Sequence, residues 1–210
     1  MESTIEPIRK AINDLAPYVP GVSSGGYRGG ICLQQIPSEI ANCIAYLKDG
    51  DKTVNSYLEV GSAAGGTAYI FDMFFDIDTM VLIDDNCLDA SKYRDDILAD
   101  VDRIEFIGNS QSKEAVEFVE NLDQTFDIVF IDADHTFRGA SSDVRNYSRF
   151  VSSGGYLIMH DTAAAPGVKK VFNGIKNSGE FASIIEFVSG GRVLGYGFTP
   201  CGIGVIKRHG

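Results

Sequence analysis

The chain is predicted to fold as α/β, with a doubly wound, mostly parallel sheet and helices on both faces. Three observations predict this. From Ser56 onward, short apolar runs alternate with stretches of helical length. The run Phe126–Ile131 is almost continuously apolar, as a strand covered on both faces must be. Successive runs end in polar groups, and in such sheets ligands sit beyond the carboxyl ends of the strands.

Taken in order, the elements follow from local chemistry. Ile5 to Leu15 reads as a short helix ended by Pro17 and Pro20. The glycine-rich stretch GVSSGGYRGG, residues 21–30, follows and reads as a linker or a lid. Pro37–Leu47 is a second helix: Pro37 suits its first turn, and Ile40, Ile44 and Leu47 share one face. Strand Tyr57–Val60 precedes a helix near Thr67–Phe74. Strand Thr79–Ile83 precedes a helix near Leu88–Ala99, and strand Ile104–Ile107 one at Lys113–Asn121. Strand Phe126–Ile131 is followed by a helix at Ala140–Phe150. Strand Tyr156–Met159 is followed by a helix at Gly167–Ser178. Ser183–Val188 and Gly202–Lys207 are the last two strands. The organisation is an N-terminal helical segment over residues 1–55 and a ligand-binding domain over 56–210.

Composition narrows the function classes. The 210 residues fit one domain with a small appendage. A formal net charge of -11, with no run of Lys or Arg, argues against a nucleic-acid partner. No apolar stretch approaches a membrane span, and the N-terminus lacks a signal-peptide pattern, so a cytoplasmic protein is expected. Cys32, Cys43, Cys87 and Cys201 show no C-x-x-C spacing and read as reduced, mostly buried thiols, which disfavours zinc.

The stretch YLEVGSAAGGTAYI, Tyr57 to Ile70, organises the rest. A strand, a glycine turn and a helix start bring free backbone N–H groups to one point. Glu59 stands at the strand's end. Glycines beside an acid suit a nucleoside-like ligand with a hydroxyl-bearing sugar, although a bare glycine turn serves a purely structural turn equally well. The other strand ends carry Asp84, Asn109-Ser110, Asp132-Ala133-Asp134-His135 and His160-Asp161-Thr162. That convergence says more than any one motif. A nicotinamide fingerprint, G-x-G-x-x-G, is not met: the spacing is G-S-A-A-G-G, with Ala at 63.

The pattern of Glu59, Gly61 and Gly65, followed by Asp84, resembles the class I methyltransferases that use S-adenosylmethionine. FDIVFIDADHTF and GGYLIMHDT resemble a branch with metal-dependent O-methyltransferases of the catechol, caffeoyl-CoA and macrolide-sugar types and cephalosporin-hydroxylase-like proteins. The resemblance runs from about Ser56 to the C-terminus. It implies a Rossmann-like seven-stranded sheet whose last strand is antiparallel. It implies that Glu59, Gly61, Ser62 and Gly65 line the methionine end of the cofactor. Asp84 would hold the ribose, and Asn109, Ser110 and Gln111 the adenine edge, with Asp132 at the cofactor's reactive end. It further implies a divalent ion, magnesium first, at Asp132, Asp161, His160 and Thr162, with His135 as the base in a D-x-x-H arrangement. Two positions depart from the branch: Thr162 stands where Asn is common, and His160 where Glu is seen.

Each residue also has a plainer reading. Asp84 fits a solvated acidic turn, and Asn109 or Ser110 a helix cap. Asp132 fits a cap, Asp161 a substrate hydrogen-bonder, and His135 a turn residue. The expected reaction is methyl transfer to an oxygen of a small molecule, such as a sugar or phenol. No NPPY-like amino-group motif follows the fourth strand. A hydroxylase-like or NAD-dependent activity on the same fold is the alternative, and a homo-oligomer is compatible with either.

Overall fold

The computed structural model describes residues 2–16, 30–178, 181–189 and 200–210. The expected loop or lid over residues 21–30 lies outside the described residues, apart from Gly30. Helices α1 (Glu2–Leu15) and α2 (Pro37–Lys48) lead into the alternating region. There β1 (Ser56–Val60), α3 (Gly66–Phe75), β2 (Thr79–Asp84), α4 (Arg94–Ile97) and β3 (Ile104–Ile107) follow one another. Next come α5 (Lys113–Glu120), β4 (Phe126–Ile131), α6 (Phe137–Tyr147), β5 (Val151–His160) and α7 (Pro166–Lys176). Strands β6 (Ser183–Phe187) and β7 (Ile203–Lys207) complete the described elements.

The seven strands form one sheet in the order β3-β2-β1-β4-β5-β7-β6. All neighbours are parallel except those of β7, which runs antiparallel to both β5 and β6. The expected Rossmann-like sheet with one reversed strand is therefore present. Strand side chains alternate between two cores, as a period of two requires. Tyr57, Met80, Leu82, Ile128, Phe130, Tyr156 and Ile158 join one core with residues of α1, α2 and α3. Leu58, Val60, Val81, Ile83, Val129, Ile131, Leu157 and Met159 join the other with residues of α5, α6 and α7. Helices cover both faces, and the described N-terminal helices belong to the first core.

Three elements differ from the sequence expectation. The helix expected at Leu88–Ala99 is a 3-10 segment, Asp89–Tyr93, followed by the four-residue α4. Ser91 Oγ and the Arg94 guanidinium both reach Asp84, which draws this stretch inward. Helix α6 starts at Phe137 rather than Ala140 because Thr136 caps it, its hydroxyl accepting from Gly139 N at 3.0 Å. Strand β5 begins at Val151 rather than at the expected Tyr156: Phe126 pairs with Val151, and the register shifts before Ile128.

Candidate methyl-donor and acceptor site

The strand order reverses between β1 and β4, and this is the switch point at which open α/β sheets bind ligands. The loops after these two strands abut there. Asp132 N donates to Val60 O at 2.8 Å. Gly61 has φ +91°, and a Cβ on it would stand 2.3 Å from Asp132 O, so only glycine fits. Gly66, the first residue of α3, meets Ile31 O in the same way, at 2.2 Å. The irregular segment 30–36 thus passes directly over the glycine turn.

Between these contacts the turn is clamped by charge. Ala63 adopts φ +44°, which is strained for a residue with a Cβ. Its N–H donates to Asp84 Oδ2 at 2.8 Å, and its carbonyl accepts from Arg94 Nε at 2.8 Å. Arg94, 3% exposed, also pairs with Asp84 Oδ1 at 2.9 Å and Glu105 Oε2 at 3.2 Å. Asp84 Oδ1 further accepts from Asn86 N. Asp84 is therefore a structural anchor in this state. Its Oδ2, with one donor from Ala63, keeps capacity for another.

The residues expected at the methionine end are buried and short of partners. Glu59 is 1% exposed, and neither its Oε2 nor Ser62 Oγ has a well-formed hydrogen bond, although the Tyr57 hydroxyl lies near enough to the Glu59 carboxyl to oppose the effect of burial on it. Burial pushes the Glu59 carboxyl well above the usual carboxylate range, and the nearby Asp132 charge adds to the shift. Unmet polar atoms at a glycine turn are what a polar ligand end would satisfy.

Where the adenine edge is expected, Ser112 caps α5, not Asn109 or Ser110, its hydroxyl accepting from Ala115 N at 3.1 Å. Asn109 Oδ1 accepts from Gln111 N, and Gln111 Nε2 donates to Asp134 Oδ2 at 3.2 Å. Ser110 Oγ donates to Asp143 Oδ1 at 2.9 Å, while Ser110 O accepts from Tyr147 OH at 2.5 Å. Asp143 is fully buried with Oδ2 unpartnered, and burial pushes its carboxyl up to about 6.

Asp132, His135, His160 and Asp161 do come together. His135 Nε2 lies 3.2 Å from Asp132 Oδ1, and its Nδ1 lies 3.3 Å from Asp161 Oδ2. His160 Nδ1 is 3.1 Å from each Asp132 oxygen. His135 is held by two carboxylates yet remains half exposed, while His160 is 4% exposed. The bond to Asp132 raises the His135 pKa against the opposing effect of burial. Burial opposes charge on His160 too, but the Asp132 carboxylate outweighs it and holds the imidazole well above its ordinary range. Asp161 adopts φ +57°, turning the chain sharply at the end of β5. Thr162 is fully buried, its hydroxyl unpartnered.

Gln35, absent from the sequence reading, completes this network. It is 4% exposed. Its Nε2 donates to Asp132 Oδ2 at 3.0 Å, and its Oε1 accepts from Thr67 Oγ1 at 2.7 Å. The Thr67 bond fixes the amide's orientation, so the N–H side must face Asp132. Both Asp132 oxygens thus face nitrogen groups, from Gln35, His135 and His160. Magnesium prefers an all-oxygen octahedron. Asp132, His135 and Asp161 do bring ligand atoms within 4.8 Å of one another, but an imidazole in the set and the nitrogen neighbours of Asp132 make it a poor match for that octahedron.

Against this geometry, a methyltransferase domain model matches residues 58–162, half of the chain. The chain belongs to that methyltransferase domain family. Solved structures share the fold. An O-methyltransferase from Bacillus cereus in complex with SAH has 12% identity and a TM-score of 0.61, with 99% of this chain and 100% of that chain covered. The O-methyltransferase TomG from Streptomyces achromogenes, in complex with SAM, has 13% identity and a TM-score of 0.60, with 100% and 91% covered. An rRNA methylase from Streptococcus thermophilus has 8% identity and a TM-score of 0.62, with 82% and 97% covered. No curated protein sequence matches the chain. No helix among the described residues is long and apolar enough to cross a membrane.

Proposed function

We propose that this chain transfers a methyl group from S-adenosylmethionine to a hydroxyl oxygen of a small molecule. The observation that carries the reading is His135, half exposed and held between Asp132 and Asp161 beside the glycine turn. An imidazole in that position can take a proton from an acceptor hydroxyl. Relatives of the same fold solved with SAH or SAM support the donor. The net charge of -11 favours a small acceptor over a nucleic acid, although an rRNA methylase shares the fold.

S-adenosylmethionine, when bound, supplies an electrophilic methyl group. The chain's residues do the rest. Glu59 Oε2 and Ser62 Oγ, buried without well-formed hydrogen bonds, would bind the amino-acid end of the donor. The free capacity on Asp84 Oδ2 suits one ribose hydroxyl. Asn109, Ser110 and Gln111 would border the adenine. Asp132 and Asp161 orient His135 and stabilise its imidazolium once the acceptor's proton arrives. With the donor bound, the deprotonated oxygen would take its methyl group, the new C–O bond forming as the donor's S–C bond breaks.

The test is incubation of the full chain with the donor and a panel of sugar, phenol, amine and carboxylate acceptors, followed by mass spectrometry of the products. Methyl ethers are expected. Methylation confined to amines or carboxylates, or none on any hydroxyl, would overturn oxygen transfer to the panel's hydroxyl classes.

A further inference from the structure

The expected magnesium set is mismatched, and a different donor set lies next to it. A ring nitrogen of His160, a carboxylate oxygen of Asp161 and Sγ of Cys201 all lie within 4.8 Å of one another. His160 Nε2 is buried and meets no oxygen or nitrogen partner; the group close enough to hydrogen-bond to the ring, beyond the Asp132 carboxylate on Nδ1, is the Cys201 thiol. Cys201 is a free thiol of intermediate burial. Its position is set by backbone bonds. Ala163 N and Ala164 N donate to Cys201 O at 2.8 and 3.1 Å, and Thr162 N donates to Gly202 O at 3.3 Å. Gly202 N in turn donates to Glu39 Oε2 at 2.9 Å, from buried Glu39 of α2. The thiol is therefore stitched against the turn that carries His160 and Asp161.

We infer that His160, Asp161 and Cys201 form a site for a thiophilic, borderline divalent cation of the zinc class, in place of magnesium. One imidazole, one carboxylate and one thiolate make a three-ligand set that leaves a position open, and softer ligands select such ions. Asp132, whose oxygens are taken by nitrogen groups, is then the carboxylate that orients His160 and not a ligand. The inference concerns the donor set alone and stands whether or not the chain transfers methyl groups.

The test titrates cobalt(II) into the full chain after chelator treatment and reads the thiolate-to-cobalt charge-transfer absorption. One equivalent with that band is expected, unaffected by excess magnesium. Cys201→Ser removes the band and weakens zinc binding by about tenfold or more. A second readout needs no variant: zinc slows alkylation of Cys201 by iodoacetamide, read by peptide mass spectrometry, while exposed Cys87 reacts equally with or without it. No band, a band undiminished in Cys201→Ser, displacement by magnesium, or unchanged Cys201 alkylation would overturn the site. SAH calorimetry on the same metal-free sample separates this result from the methyl-donor reading.

Discussion

Asp127 and Glu59 sit on neighbouring strands at opposite ends of the sheet, and their surroundings are opposite too. Asp127, at the start of β4, pairs with Lys52 at 2.8 Å and accepts from Asn55 N, Ser56 N, Ser56 Oγ and Ser152 Oγ. Burial works against its charge, but Lys52 and these bonds outweigh it and hold its carboxyl below the ordinary value. Glu59, at the end of β1, has an oxygen without a well-formed hydrogen bond, and burial drives its carboxyl the other way. One end of the sheet is satisfied by the chain itself. The other keeps polar atoms unmet, a cost in stability of about 1–3 kcal/mol per group. Asp127 is met by the chain itself, whereas Glu59 would be met by the donor under the proposed function.

The sharpest way to test the contrast is at the ligand end. His135→Ala is expected to lower turnover by about 10²- to 10⁴-fold while leaving SAH affinity and melting temperature nearly unchanged. Steady-state kinetics beside calorimetry reads this. Unchanged turnover would remove His135 from the chemistry.

At the structural end, Asp127→Ala strips Asn55 N and Ser56 N of their acceptor. A loss of about 2–4 kcal/mol in urea unfolding is expected, with turnover per folded molecule unchanged. The pH sign follows from the lowered pKa. This carboxylate's stabilisation is present above its unfolded value of 3.8 and is lost as pH falls through the lower folded value.

Asp143 carries the opposite sign within one residue. Its folded pKa of about 6 lies above the unfolded 3.8, so its contribution is most favourable below 3.8 and declines as pH rises to about 6. Asp143→Asn is expected to be about 2–3 kcal/mol more stable than the parent at pH 8 and nearly equal to it at pH 4. Parallel unfolding curves at both pH values would contradict the buried, half-satisfied acid.

The smallest effect is expected at Gln35. Gln35→Ala removes one donor from Asp132 and one acceptor from Thr67, at about 1–2 kcal/mol of stability. Gln35→Glu, which sets a second carboxylate against Asp132, is expected to cost more than the alanine variant.

What the sequence disclosed follows the same division. The strands were legible because apolar runs such as Phe126–Ile131 need no distant partner to be read, and the polar strand ends followed from them. Gln35 was not legible: it meets Asp132 across a separation of 97 residues, and a lone Gln before a helix carries no local signal. Arg94 resembled one more charge in a polar helix, yet it is buried and clamps Ala63, Asp84 and Glu105. Its bonds are also what broke the expected helix at Leu88–Ala99. Asp143 left a usable trace, since Ala140 and Tyr147 share its helix face and are buried with it. Cys201 reads as an isolated thiol until the backbone pairing of residues 162–164 with 201–202 brings it to His160.

The central claim is that the unmet groups around Glu59 form a methyl-donor site, and Glu59→Gln tests it most directly. Calorimetry with SAH and NAD is run on the parent and on this variant. Glutamine keeps the shape, and because the buried Glu59 carboxyl is held toward its neutral form, the melting temperature is expected to hold or rise. The account predicts that the parent binds one equivalent of SAH and no NAD, and that the variant binds SAH at least about tenfold more weakly. Tight NAD binding without SAH, or SAH affinity untouched by the substitution, would contradict it.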